Sequence, residues 1–137
     1  TQGTIVLSGH SAGGHLVARM TDPLLLGAEV RDRITRIVPI SPVADLAPLL
    51  QTQMNETLRL DEAEAEAESP MNMTPPHGVD VTVWVGAQER PAFLEQAENF
   101  ARSWGAKQVV AEGKHHFDVI DPLAEPDSDL TKALLGS

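Results

Sequence analysis

Five residues, Gly9-His10-Ser11-Ala12-Gly13, constrain this chain more than any other stretch because of what flanks them. Thr4-Ile5-Val6-Leu7-Ser8 is short, apolar and β-branched, the pattern of a buried strand. Gly14 to Met20 reads as the first turns of a helix. A strand, then G-x-S-x-G, then a helix is the pattern of a nucleophile elbow. The turn is so sharp that Ser11 is expected in a strained backbone conformation, with Gly9 and Gly13 kept small to avoid clashes. The helix start aims free N–H groups, that of Ala12 first, and a partial positive charge at the place where an oxyanion would form. The competing reading is a glycine-rich strand-to-helix turn without chemistry. Two correct flanks favour the catalytic one.

Composition bounds the rest. A chain of 137 residues suffices for one compact domain. A formal net charge of −10 argues against nucleic acid or an anionic membrane surface as partner. No apolar run approaches the roughly 18 residues of a membrane span, and a cytoplasmic protein is expected. The lack of cysteine excludes disulfides and thiolate zinc sites. The first residue is Thr, and a core strand follows almost at once. A signal peptide or a whole upstream segment could precede it without leaving a trace.

Along the chain, strands and helices alternate. Ile34–Ile40 is a second strand opening into the turn Ser41-Pro42. Asp45 to Leu50 starts a short helix, and Leu58 to Glu68 is expected as another. Within the latter, Ala and Glu favour helix, and Leu60, Ala63 and Ala67 share a face, so its acidic run is a solvated surface. Ser69 to Pro76 is a connecting loop, and Val79–Val85 is the clearest strand. Pro91 to Trp104 is the clearest helix, with Phe93, Leu94, Ala97, Phe100, Ala101 and Trp104 in one apolar stripe ended by Gly105. Lys107–Ala111 is a last strand, and Leu130–Leu135 a closing helix capped from Asp127-Ser128-Asp129. This order predicts an α/β fold, with a mostly parallel sheet and helices on both faces.

In such a sheet, functional groups gather at the carboxyl ends of the strands. Ser11 follows the first strand, Gly86-Ala87-Gln88-Glu89 the third, and Gly113-Lys114-His115-His116-Phe117 the last. The chain order is therefore serine, acid, histidine, as in one known arrangement of the catalytic triad. Asp45, after the second strand, is the alternative acid; position favours Glu89. His116 is the candidate base, with His115 as its rival. His10 and His15 read as packed beside the elbow, and His77 as a surface residue. A metal site from His115, His116 and Asp118 lacks a spacing that would fix an ion, so no metal is expected.

These segments together resemble the C-terminal half of the serine-hydrolase type of kynurenine formamidase (arylformamidase) and its esterase relatives. The resemblance is carried by Gly-His-Ser-Ala-Gly-Gly-His-Leu at 9–16, by Ser41 to Leu49 with Asn55, Leu58 and Leu60, and by Ser69-Pro70. It continues through Gly86 to Phe93 with Gln96, and through His116-Phe117-Asp118. It implies an α/β-hydrolase fold with Ser11 as nucleophile, Glu89 as acid and His116, rather than His115, as base. Two departures stand out. Many members carry Asp where this chain has Glu89, and the family's His-Gly-Gly turn, which completes the oxyanion hole, lies upstream of the elbow.

The resemblance implies a hydrolase of small amides or esters that needs no cofactor, with N-formylkynurenine as the first substrate to consider. A general carboxylesterase is the alternative within enzymes, and a non-catalytic ligand-binding relative the alternative outside them. Residues 44–76, over the active-site end of the sheet, would shape the pocket, with Met54, Met71 and Met73 as candidate lining. Residues 1–137 are thus expected to be part of a domain whose N-terminal strands and oxyanion loop are supplied from elsewhere, as a separate chain or an upstream segment. Homodimerisation is left open.

Overall fold

The computed structural model describes residues 3–136. Four parallel strands, β1 (Ile5–His10), β2 (Ile34–Ile40), β3 (Asp80–Gly86) and β4 (Lys107–Ala111), lie side by side in sequence order. Helix α1 (Ala12–Arg19) follows β1, and the single-turn α2 (Ala28–Arg31) precedes β2. After β2 come a 3-10 helix at Ala47–Gln51, then α3 (Met54–Leu58), α4 (Glu62–Glu68) and a 3-10 turn at Pro70–Asn72. Helix α5 (Pro91–Trp104) joins β3 to β4, and a 3-10 segment at Asp118–Ala124 leads into α6 (Asp129–Leu135).

Alternation along the strands builds two cores. Val81, Val83 and Val85 of β3 point to one face, where Ile37, Ala18 of α1 and Ala97, Phe100, Ala101 and Trp104 of α5 meet them. Trp84 points to the other face with Val38 and Ile40, covered by Val119 and by Leu130 of α6. In the apolar stripe of α5, Ala97, Phe100, Ala101 and Trp104 are buried and Phe93 and Leu94 half-buried, and Gly105 ends the helix at φ 60°.

The stretch after β2 departs from expectation. The continuous helix expected over 58–68 is broken at Arg59, which takes a left-handed conformation at φ 53°. Asn55 fixes the break by accepting from Leu60 N–H at 2.7 Å and donating to Leu60 carbonyl at 3.1 Å. Asp61 then restarts the chain with a capping box to Glu64. In α4 it is Ala65 that is buried, while Ala63 and Ala67 are exposed. Met71 and Met73 pack against the α5-side core, and Met54 is exposed on α3, so the three do not line one pocket.

One acidic residue of that surface is anchored. Arg19, buried on α1, donates from Nε to Glu68 at 2.9 Å and from a terminal nitrogen to Asp22 at 2.9 Å. Leu24 N–H, with the Arg19 guanidinium, holds the Asp22 carboxyl below the usual range. This network ties the helix behind the elbow to α4.

Candidate active site

All four carboxyl ends open onto one edge of the sheet. At the first, Ser11 sits at φ 58°, ψ −113°, a conformation sparsely populated by residues other than glycine. Gly9 is required by contact, since a Cβ there would lie 2.2 Å from the carbonyl oxygen of Gly13. Gly13 itself has open space where its Cβ would be, so the expectation that both must be small holds for Gly9 alone. The second tight position is Gly14, whose Cβ would come within 2.9 Å of Pro42. This close approach seats α1 on the turn after β2. Ala12 N–H donates to no protein acceptor among the described residues, and lies at the helix start where the partial charge is positive.

Glu89 is held from three sides. Its side chain is fully buried, and Oε1 accepts from His116 Nδ1 at 2.7 Å. Oε2 accepts from Gly86 N–H at 2.6 Å and from the Ser41 hydroxyl at 2.5 Å. Gly86 is needed here as well, for a Cβ would meet the Lys114 carbonyl oxygen at 2.4 Å. That contact, with Gln88 N–H donating to the same carbonyl at 2.9 Å, locks the acid loop to the histidine loop.

His116 therefore carries its proton on Nδ1 towards Glu89 and leaves Nε2 as an acceptor. Its ring stacks on Phe93 of α5 with centroids 4.1 Å apart, and lies 4.6 Å from the His10 ring. His10 Nε2 donates to the His116 carbonyl at 2.6 Å, so the residue before the elbow serine grips the histidine backbone. The Ser11 hydroxyl makes no hydrogen bond among the described residues; its link to His116 runs through His10 and is not direct.

The rivals are placed elsewhere. His115 Nδ1 accepts from Phe117 N–H at 3.1 Å and Asp118 N–H at 3.2 Å. Two donors aimed at that nitrogen make it unprotonated, so the 3.4 Å approach of Asp118 to it is no ion pair. Asp45, the alternative acid, bonds its own loop through Ala47 N–H at 3.0 Å and touches neither histidine. Gln96 of α5 holds that loop, accepting from Ala44 and Asp45 N–H at 2.9 and 2.8 Å. Ser41 is the residue that sequence reasoning missed. A serine in a Ser-Pro turn carries no local signal of a contact made 48 residues away.

Among the described residues no group of three His, Asp or Glu side chains is arranged to hold a metal, and no helix is long and apolar enough to cross a membrane.

No protein-family model matches the chain. It is 30% identical over 142 residues to a kynurenine formamidase of Salmo salar, covering 96% of this chain and 48% of that protein. A kynurenine formamidase of Danio rerio is 33% identical with the same coverage. A crystal structure from a Silicibacter species, provisionally described as a thioesterase, superposes with a TM-score of 0.95 at 56% identity, over 97% of this chain and 51% of that one. The apo esterase 2 of Thermogutta terrifontis shares the fold, with a TM-score of 0.62 at 23% identity over 83% of this chain and 46% of that one. The chain thus spans about half the length of the relatives it matches. With its parallel sheet, its elbow and these likenesses, the chain is an α/β-hydrolase-fold protein that resembles kynurenine formamidases.

Proposed function

We propose that this chain carries the catalytic residues of a serine hydrolase acting on small amides or esters, with an N-formyl arylamine such as N-formylkynurenine as the favoured substrate. The observation that carries the reading is the strained Ser11 on its elbow, linked through His10 to a His116 that is bonded to a fully buried Glu89. Ser11 Oγ attacks the formyl carbon while His116 Nε2 takes its proton, and Glu89 stabilises the imidazolium that forms. Ala12 N–H donates to the developing oxyanion. Collapse of the tetrahedral adduct breaks the C–N bond, and the proton on His116 goes to the departing arylamine. Water, deprotonated by His116, then cleaves the formyl ester, releasing formate and restoring Ser11.

The matched relatives named kynurenine formamidase support the formamide substrate, and the esterase fold supports the alternative of a general carboxylesterase. Parallel kinetics on N-formylkynurenine and p-nitrophenyl acetate separate the two. The formamide is expected to give the higher kcat/KM; a clear preference for the ester would make this a carboxylesterase.

The working site extends beyond these residues in the same proposal. Among the described residues strand β1 pairs only with β2, leaving its other edge open, and Val6 and Leu16 are exposed. Open apolar edges are rarely left uncovered. A further segment pairing along β1 would cover this one and bring a second oxyanion donor, as a His-Gly-Gly-like turn does in the family. One donor is worth about 10²–10³ in turnover. Residues 1–137 expressed alone are expected to be nearly inactive and to unfold without cooperativity; a cooperatively folding, fully active monomer would refute the extension.

A further inference from the structure

Ser41 combines three properties that a simple turn residue does not need. It is fully buried, it is held in the left-handed region at φ 46°, and its hydroxyl donates to Glu89 at 2.5 Å. Asparagine or glycine suits such a φ better than serine, so the hydroxyl has to account for the choice. The backbone is fixed as firmly. Ser41 N–H donates to the Trp84 carbonyl at 2.6 Å, and the next residue, Pro42, lies under Gly14 of the elbow helix.

Glu89 needs such a partner. A glutamate has one more rotatable bond than an aspartate, and its terminal torsion is broad. An unrestrained Glu89 carboxylate would present either oxygen to His116, at any of several angles. Two donors on Oε2, Gly86 N–H and Ser41 O–H, fix the plane of the carboxylate and leave Oε1 facing His116 Nδ1. We propose that Ser41 is a positioning residue, whose hydroxyl orients the Glu89 carboxylate so that His116 keeps the tautomer and angle required of a base. The proposal rests on the reading of Glu89 and His116 as acid and base.

Substitution separates the hydroxyl from the strained backbone. Ser41→Gly removes the hydroxyl and relieves the φ, while Ser41→Ala removes the hydroxyl and keeps the strain that the serine already bears. In the full-length protein both variants are expected to lose about ten- to hundredfold in kcat, the range of a lost hydrogen bond to a charged group, with KM within about twofold. In a Glu89→Gln background the additional loss is expected to fall below about twofold, because the oriented carboxylate is already gone. A second readout does not depend on turnover. The low-field proton resonance of His116 Nδ1–H, identified by its disappearance in Glu89→Gln, is expected to move upfield or broaden in Ser41→Gly. Wild-type kcat with an unmoved resonance in Ser41→Gly would overturn the proposal, as would a full loss persisting in the Glu89→Gln background. Failure of the underlying reading has a different mark, namely wild-type turnover in the Glu89→Gln protein.

Discussion

Replacing Ser11 with alanine is expected to lower turnover by about a million-fold, with the fold intact. Where a nucleophile acts as a unit with its base, its removal costs about as much as removing the whole triad, and losses of this size follow. Here the substitution takes away the Oγ proposed to attack and leaves the neighbours in place. His116 remains bonded to Glu89, and His10 still grips the histidine backbone. The hydroxyl makes no hydrogen bond among the described residues, so its loss leaves no buried partner unsatisfied. Alanine still has to adopt φ 58°, ψ −113°, a strain of order 1–3 kcal/mol that Ser11 already bears. Steady-state kinetics with a thermal melt as control checks this. Undiminished activity in a folded Ser11→Ala protein would remove the elbow from the chemistry.

Glu89→Gln is expected to cost about 10⁴ in kcat, the loss seen when a triad acid is replaced by its amide. Glutamine is isosteric, but its amide group meets an environment built for an anion. Oε2 accepts from Ser41 and Gly86, so the amide oxygen takes that side and its NH₂ faces His116 Nδ1. A donor there drives the His116 proton to Nε2, where it can no longer accept from Ser11. Asp45→Asn serves as the comparison, since the Asp45 carboxylate accepts from Ala47 N–H of its own loop and its change is expected to cost less than about threefold. A larger loss in Asp45→Asn than in Glu89→Gln would move the acid to the end of β2.

Much of this framework was legible in the sequence. Ile34–Ile40, Lys107–Ala111 and Pro91–Trp104 stand at the boundaries that pattern alone predicts. Each is a strongly periodic or apolar run bounded by a turn residue, so local signals and tertiary packing agree. Strand order brings Glu89 and the His115-His116 pair to one edge, because a parallel sheet delivers every carboxyl end there. It does not choose between the two histidines; the resemblance points to His116, which is the one bonded to Glu89. What was not legible depends on contacts remote in sequence. The break at Arg59 is set by Asn55 bonding Leu60, and nothing in a run of good helix formers announces it. Helix α2 is a single turn without an apolar stripe, and the Asp118–Ala124 segment is a 3-10 helix containing Pro122, so neither shows a 3.6-residue period. The pattern asks for a small residue at Gly13, but the tight position is Gly14, because Pro42 approaches it from the turn after β2.

Covalent labelling tests most directly whether the strained serine of the elbow is the nucleophile. A fluorophosphonate probe reacts with a serine whose hydroxyl is activated by a base and whose oxyanion is stabilised, and it reports on both without naming a substrate. Applied to the full-length protein and followed by peptide mass spectrometry, it is expected to label Ser11 alone and to leave the Ser11→Ala protein unmodified. Labelling at another serine, or none in a folded protein that hydrolyses its substrate, would exclude Ser11 as the nucleophile.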